Sequence, residues 1–90
     1  MTDAVVVGYV GPASRPRRAA VLLPDGRRVL SQALTAPLAA AVARLIADSG
    51  PGRPAPTDDR EEYTTTGAGL VVEVAAGTTR HAAVAVMRVR

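Results

Sequence analysis

The side chains of this sequence that are best suited to chemistry are its arginines. All eleven basic residues of the 90-residue chain are arginine, and the chain contains neither lysine nor cysteine. A planar guanidinium binds phosphate oxygens through two parallel N–H donors and is only weakly hydrated. The composition therefore favours anion binding, and it excludes a lysine nucleophile, a covalent lysyl-nucleotide, a thiolate metal site and a disulfide. A high-GC genome would also explain the strong preference for Arg, Ala and Val.

The arginines that are candidates for phosphate binding fall into two groups. One group lies in a proline-rich connection near the N-terminus, and the other lies around the last apolar segment. Each group also has a simpler explanation, because the first could merely solvate a turn and the second a terminal hairpin. The candidates are Arg15, Arg17 and Arg18 in the first group, and Arg80, Arg88 and Arg90 in the second.

Beyond the arginines, the sequence contains no recognisable catalytic group. The single histidine, His81, has no carboxylate close to it in sequence, and one histidine cannot form a multi-histidine metal cage. No glycine-rich loop opens a helix, as a phosphate-cradling motif requires. The acidic residues at positions 58, 59, 61 and 62 are predicted to form a solvated charge run. We therefore expect no metal site and no cofactor bound by this chain alone, and enzymatic activity is left uncertain.

The aromatic content argues against one common mode of nucleic-acid recognition. Proteins that bind single strands stack the bases on aromatic side chains. This chain has only Tyr9 and Tyr63, without phenylalanine or tryptophan. Its formal net charge of +3 is compatible with a polyanionic partner but does not require one. Contacts with phosphate are thus favoured over contacts with stacked bases.

Five segments rich in apolar and β-branched residues predict strands. Gly8 lies inside the first of them and predicts a bulge or bend, and the Asp-Gly pair before Arg27 predicts a tight hairpin turn. In the last strand the odd positions 83, 85, 87 and 89 are predicted to form its continuous apolar face. A further short edge strand is predicted at residues 63–66. The five main strands are expected at residues 3–11, 19–23, 28–33 and 70–74, and in the segment that ends at residue 90.

A single helix is predicted between the third and fourth of these strands. Thr35 is a suitable N-cap, Pro37 falls in the first turn, and Gly50 is followed by proline, as is common after a helix C-terminus. Residues 51–62 lack periodicity and predict a mobile surface loop. The helix has one predicted apolar face, which is formed by Leu38, Val42, Leu45 and Ile46.

The order of these elements predicts a single domain over residues 1–90, all-β with one helix. Three strands, a helix and two strands are the element order of a five-stranded Greek-key barrel of the OB type, with the helix between strands 3 and 4. An SH3-like barrel or a plain α+β sheet fits less well, because neither expects a helix there. The N-terminus has no basic segment followed by a long apolar run, so neither a signal peptide nor a membrane span is expected. A cytoplasmic location is the default.

Motifs at both ends of the sequence resemble one protein family. The opening D-A-V-V-V-G-Y-V-G, the later V-V-E-V, the pair R-H and the ending R-V-R are similar to motifs of the C-terminal OB domain of ATP-dependent DNA ligases. The likeness spans nearly the whole chain and is most specific at its two ends. The chain looks most like short actinobacterial ligase-like proteins, which also fits its residue bias.

The resemblance implies roles for the C-terminal arginines. Arg80 and His81 match the start of the family's last strand, and Arg88 and Arg90 match the arginines of its terminal motif. In the family that motif contacts the β and γ phosphates of ATP, and another face of the domain clamps duplex DNA. ATP and magnesium are thus implied for the ligase family, and DNA, duplex or nicked, is the implied partner of this chain.

The sequence departs from the family pattern in three respects. Ala82 stands where the family usually has proline, and the family's terminal motif extends beyond the position of Arg90 with an Asp-Lys pair. The chain also carries no lysine motif, so it cannot adenylate itself, and a separate adenylation domain acting in trans is one partner that the resemblance implies. An excised domain, a remnant and a separate subunit remain open. The alternative function is a small β-barrel protein-interaction domain with no nucleic-acid role.

Overall fold

The computed structural model describes residues 2–58, 60–67, 69–75 and 84–89. This part of the chain is mostly β-sheet with a single helix. The helix predicted between Thr35 and Gly50 is confirmed, and so are the main strands to within a few residues. The elements are β1 (Thr2–Val10), β2 (Arg18–Leu22), β3 (Arg28–Leu30), α1 (Ala36–Ser49), β4 (Pro54–Pro56), β5 (Glu62–Thr65), β6 (Val71–Ala75) and β7 (Ala85–Val89).

Strand β1 is the centre of the sheet. It pairs with β2 along one edge, while its other edge pairs with β6 at residues 2–5 and with β5 at residues 8 and 9. β3 extends the sheet beyond β2, β4 beyond β5, and β7 beyond β6, and every one of these pairs is antiparallel. A parallel bridge between Ser31 and Val84 links the end of β3 to the start of β7. The sheet is therefore curled into a half-barrel.

The main core fills the inside of this curl and is closed by α1. Helix residues Leu38, Val42 and Ile46 are buried, as the sequence predicts, and half-buried Leu45 packs beside them. Gly50 ends the helix with a φ of 74°, and its N–H bonds to the carbonyl of Ile46. The buried residues of this cluster are Ala4, Val6, Ala19, Val21, Val29, Val42, Ile46, Val72, Val74 and Val84.

A second, smaller core lies on the opposite face of the sheet. The pairing of β1 with β2 shifts between Val6 and Gly8, which confirms the irregularity predicted at Gly8. Tyr63 of β5 is 5% exposed and packs with Ala20 and Leu30 in this cluster. Its ring lies directly over Gly8, where a Cβ atom would collide with it. The β4–β5 hairpin therefore covers part of the outer face of the sheet.

The prediction for the face of the last strand was wrong. Val84, which is buried, and Val86 face the core, whereas Met87 is 49% exposed; Val89 pairs with the core residue Val72 but is 38% exposed. The cause is an irregularity in the pairing of β7 with β6. The successive β6 residues Glu73 and Val74 pair with Arg88 and Val86, so one residue of β7 is left without a partner on β6. Met87 is the extra residue and reverses the alternation of faces after it.

The segment predicted to be a surface loop, residues 51–62, contains regular structure. It includes β4, whose two prolines suit an edge strand, and a turn in which the N–H of Thr57 donates to the carbonyl of Glu61 at 2.8 Å. At the tip of the β2–β3 hairpin, a hydrogen bond from the backbone N–H of Arg27 holds the pKa of Asp25 below its usual value. Within the described ranges, no helix has the length and apolar character needed to cross a membrane.

Candidate anion-binding site

The connection between β1 and β2 is held in place by backbone hydrogen bonds. The N–H of Arg17 donates to the carbonyl of Val10 at 2.8 Å, and the N–H of Leu34 donates to the carbonyl of Arg17 at the same distance. Gly11 has a φ of 101°, a conformation that favours glycine, and Pro16 is buried beneath the loop. The loop is thereby fixed against the residues that lead into α1.

A cleft of about 640 Å³ opens between this loop and α1. The loop supplies Arg15 and Arg17, which are both exposed and which have no ion-pair partner among the described residues. The opposite side of the cleft carries small apolar side chains. The structure therefore brings together, at one concave surface, two guanidinium-bearing residues that form no ion pair within the described ranges. The lining is completed by Ser14, Pro16, Ala33, Leu34, Ala36, Ala39 and Ala40.

Arg18 belongs to a different surface. Its Nε donates to the carbonyl oxygen of Ser31 at 2.6 Å, and its guanidinium lies 3.7 Å from the carboxylate of Glu61. Successive residues of an extended chain point to opposite sides, so Arg18 leaves the cleft that Arg17 lines. Its side chain connects β2 with β3 and with the turn before β5. The first arginine group of the sequence is thus divided between two faces.

Arg88 is engaged in an ion pair. Its Nε lies 3.0 Å from the Oε2 atom of Glu73, the residue directly opposite it on β6. The Glu73 side chain is only 11% exposed, whereas that of Arg88 is 70% exposed. A carboxylate in such a position needs charge-assisted hydrogen bonds, because burial without them is costly. The pair therefore gives Arg88 a structural role in the isolated chain.

We expect the replacement Arg88→Gln to lower the free energy of unfolding by about 1–3 kcal/mol, because it removes a charged donor from a largely buried carboxylate. Arg44→Gln is the matched control, since Arg44 is an exposed helix residue without an ion pair among the described residues. Its effect should stay within about 0.5 kcal/mol. Urea denaturation of the variants measures both. Equal effects of the two replacements would show that the Glu73 pair contributes no stability.

The remaining candidates of the second group, Arg80 and Arg90, lie outside the described residues, as does His81. Their predicted contacts with phosphate stay predictions. Sequence reasoning missed Glu73 as a partner of Arg88, and it missed the alanines that form the far wall of the cleft. The alternation of side chains along β6 places Glu73 on the face away from the core, but no local signal in the sequence shows that its side chain would be largely buried there.

No group of three or more potential metal ligands occurs within the described ranges. The expectation that this chain binds no cofactor by itself stays a prediction. Comparison with known proteins adds no assignment, because no family model, curated protein or solved structure matches this chain. The candidate site is defined by its geometry alone.

Proposed function

We propose that this chain is an OB-type module that binds the phosphate backbone of nucleic acid. The strand pairing supports the barrel type. β1 pairs with β2, β2 with β3, β1 with β6 and β6 with β7, and the bridge from Ser31 to Val84 brings β7 back to β3. In this interpretation β6 and β7 are the fourth and fifth barrel strands, α1 lies between the third and fourth, and the β4–β5 hairpin is an insertion.

The observation that carries the proposal is the presence of Arg15 and Arg17, neither ion-paired in the part of the chain that the structure describes, in the connection between the first two strands. In OB barrels this loop and the loop between the last two strands are where oligonucleotides bind. The outer face of strands 2 and 3, which is the other common contact surface, is partly covered here by Tyr63. Backbone contacts through the loops are thus favoured over stacking on the sheet.

The relation to ATP-dependent DNA ligases is part of this proposal. The proposed function includes contacts with DNA, duplex or nicked, and contacts with the phosphates of ATP when an adenylation domain acts in trans. Phosphate binding by Arg88 would compete with its existing ion pair, because its Nε already donates to Glu73. Arg88 could offer phosphate only its remaining N–H groups unless the pair opened. Arg15 and Arg17 are therefore the stronger candidates in the isolated chain.

The proposal is tested by titrating the chain with nicked duplex DNA at several salt concentrations. We expect affinity to fall steeply with salt, and the double replacement Arg15→Gln and Arg17→Gln should reduce the slope of log K against log salt by about two. Removal of each arginine–phosphate interaction should also weaken binding on the order of tenfold near 0.1 M salt.

The control is the double replacement Arg53→Gln and Arg60→Gln, which removes the same charge from exposed residues that do not line the cleft. It should leave the salt slope nearly unchanged. The proposal is contradicted if the unmodified chain fails to bind at low salt, if its affinity is insensitive to salt, or if both double variants lose affinity equally.

The second candidate function is a protein-interaction domain without a nucleic-acid role. It is favoured by three exposed apolar side chains on adjacent strands, since Val71 on β6 is 36% exposed and Met87 and Val89 on β7 are more so. Exposed apolar side chains on neighbouring strands can contribute to a contact surface. This function predicts that the DNA titration shows no binding at any salt concentration.

A further inference from the structure

We propose that the cleft between the β1–β2 loop and α1 holds a nucleotide unit, with its phosphate on the arginines and its base against the alanine wall. This inference rests on the proposed function and specifies the ligand of the same site. It says that the nucleic acid presents an unstacked nucleotide to this surface, such as one at a strand end, and not only a continuous backbone.

The two sides of the cleft differ in chemistry. Arg15, Arg17 and Ser14 lie on the loop side. The other side is formed by half-buried Leu34 and by small apolar side chains before and along α1, of which Ala36 and Ala40 are exposed. A bare phosphate would use the polar side alone and leave the methyl groups in water. A ligand with an anionic group attached to an apolar, planar body would contact both sides.

The size of the cleft fits this class of ligand. Its volume of about 640 Å³ lies within the range of roughly 300–1,000 Å³ that is typical of small-molecule sites. Among the described residues no aromatic side chain lines the cleft, so a base would lie against methyl groups and against the guanidinium planes. Guanidinium groups stack on π systems as well as binding phosphate. The two arginines can therefore serve both parts of a nucleotide.

The test is an NMR titration of the full ¹⁵N-labelled chain with adenosine 5′-monophosphate, ribose 5-phosphate and inorganic phosphate at equal ionic strength. All three should shift the amides of residues 14, 15 and 17. Only the nucleotide should also shift the amides of Ala36, Ala39 and Ala40. We expect the nucleotide to bind on the order of tenfold more tightly than inorganic phosphate, because it buries additional apolar surface.

One variant distinguishes the contribution of the alanine wall to binding from that of the arginines. Ala40→Gln places a longer polar side chain on the apolar wall and should remove most of the preference for the nucleotide while leaving phosphate binding in place. Ala47→Gln is the control, since Ala47 is exposed on the same helix and does not line the cleft. It should change neither affinity.

The outcomes distinguish this inference from the function on which it rests. If DNA binds through Arg15 and Arg17 but the nucleotide binds no better than inorganic phosphate, the inference is overturned and the proposed function stands. If neither small anions nor DNA shift the loop amides, both are overturned. Nucleotide preference that survives Ala40→Gln unchanged would also overturn the assignment of the base to the alanine wall.

Discussion

Gly8→Ala is expected to lower the free energy of unfolding by about 3 kcal/mol, near the upper end of the range for overpacking. A Cβ atom at this position would overlap both the Tyr63 ring and the backbone carbonyl oxygen of Thr64. The ring could rotate away, but the carbonyl belongs to the strand that pairs with β1 and cannot move without breaking that pairing. A domain of this size has roughly 5–13 kcal/mol of total stability, so the loss would be a large fraction of it.

The matched control for this replacement is Gly69→Ala. Apart from Gly69 itself and its chain neighbours, no heavy atom of the described residues lies within 4 Å of the position that a Cβ of residue 69 would occupy, and its φ lies outside the left-handed region that favours glycine. Its effect should remain within about 0.5 kcal/mol. Urea denaturation followed by circular dichroism measures both variants. If Gly8→Ala proves as mild as Gly69→Ala, the close approach of the hairpin to β1 is incorrect.

Tyr63→Ala is the second replacement with a large expected effect, a decrease of about 3–5 kcal/mol in the free energy of unfolding by analogy with other aromatic truncations in cores. Tyr63 is 5% exposed and fills the space above Ala20 and Leu30 on the outer face of the sheet. Its removal should also loosen the β4–β5 hairpin, because the buried ring packs this hairpin against Ala20 and Leu30 of the sheet. Hydrogen exchange at the amide of Thr65, which bonds to the carbonyl of Arg53, reports on that loosening.

Tyr63→Phe is the control, because it keeps the ring and removes only the hydroxyl group. It should cost less than about 1 kcal/mol, and the exchange at Thr65 should stay slow. A combined Gly8→Ala and Tyr63→Ala variant should be destabilised by less than the sum of the single effects, since one of the two collisions at Gly8 has gone. Strict additivity would show that the ring and the glycine are not in contact.

The comparison of α1 with β7 shows which features local sequence can predict. The apolar face of the helix, its N-terminal proline and its terminal glycine are all predictable, because each of these signals acts within one or two turns. Strict alternation predicts the face of β7 incorrectly. That face depends on how β7 pairs with β6, and the extra residue at Met87 is visible only once the two strands are placed together.

The candidate site also combines features that local sequence predicts with features that depend on the fold. The sequence identifies Arg15, Arg17 and Arg18 as one group, but only the fold separates them, with Arg18 bound to Ser31 and Glu61 on another face. The sequence also singles out Arg88 without its partner Glu73. Residues that are adjacent in sequence are enough to predict local charge and turns. Which side chains share one surface depends on residues that are far apart in the chain.

The amino-acid sequence alone shows that the basic side chains of this protein are all arginine, without lysine or cysteine chemistry, and it predicts β-strands and a helix between Thr35 and Gly50. Composition and local periodicity suffice for such conclusions. The three-dimensional fold is needed to show that two arginines line a cleft with an alanine wall and that Tyr63 covers part of the outer face of the sheet. Those features depend on strand register and on the curl of the sheet, which long-range packing sets and which no short segment encodes.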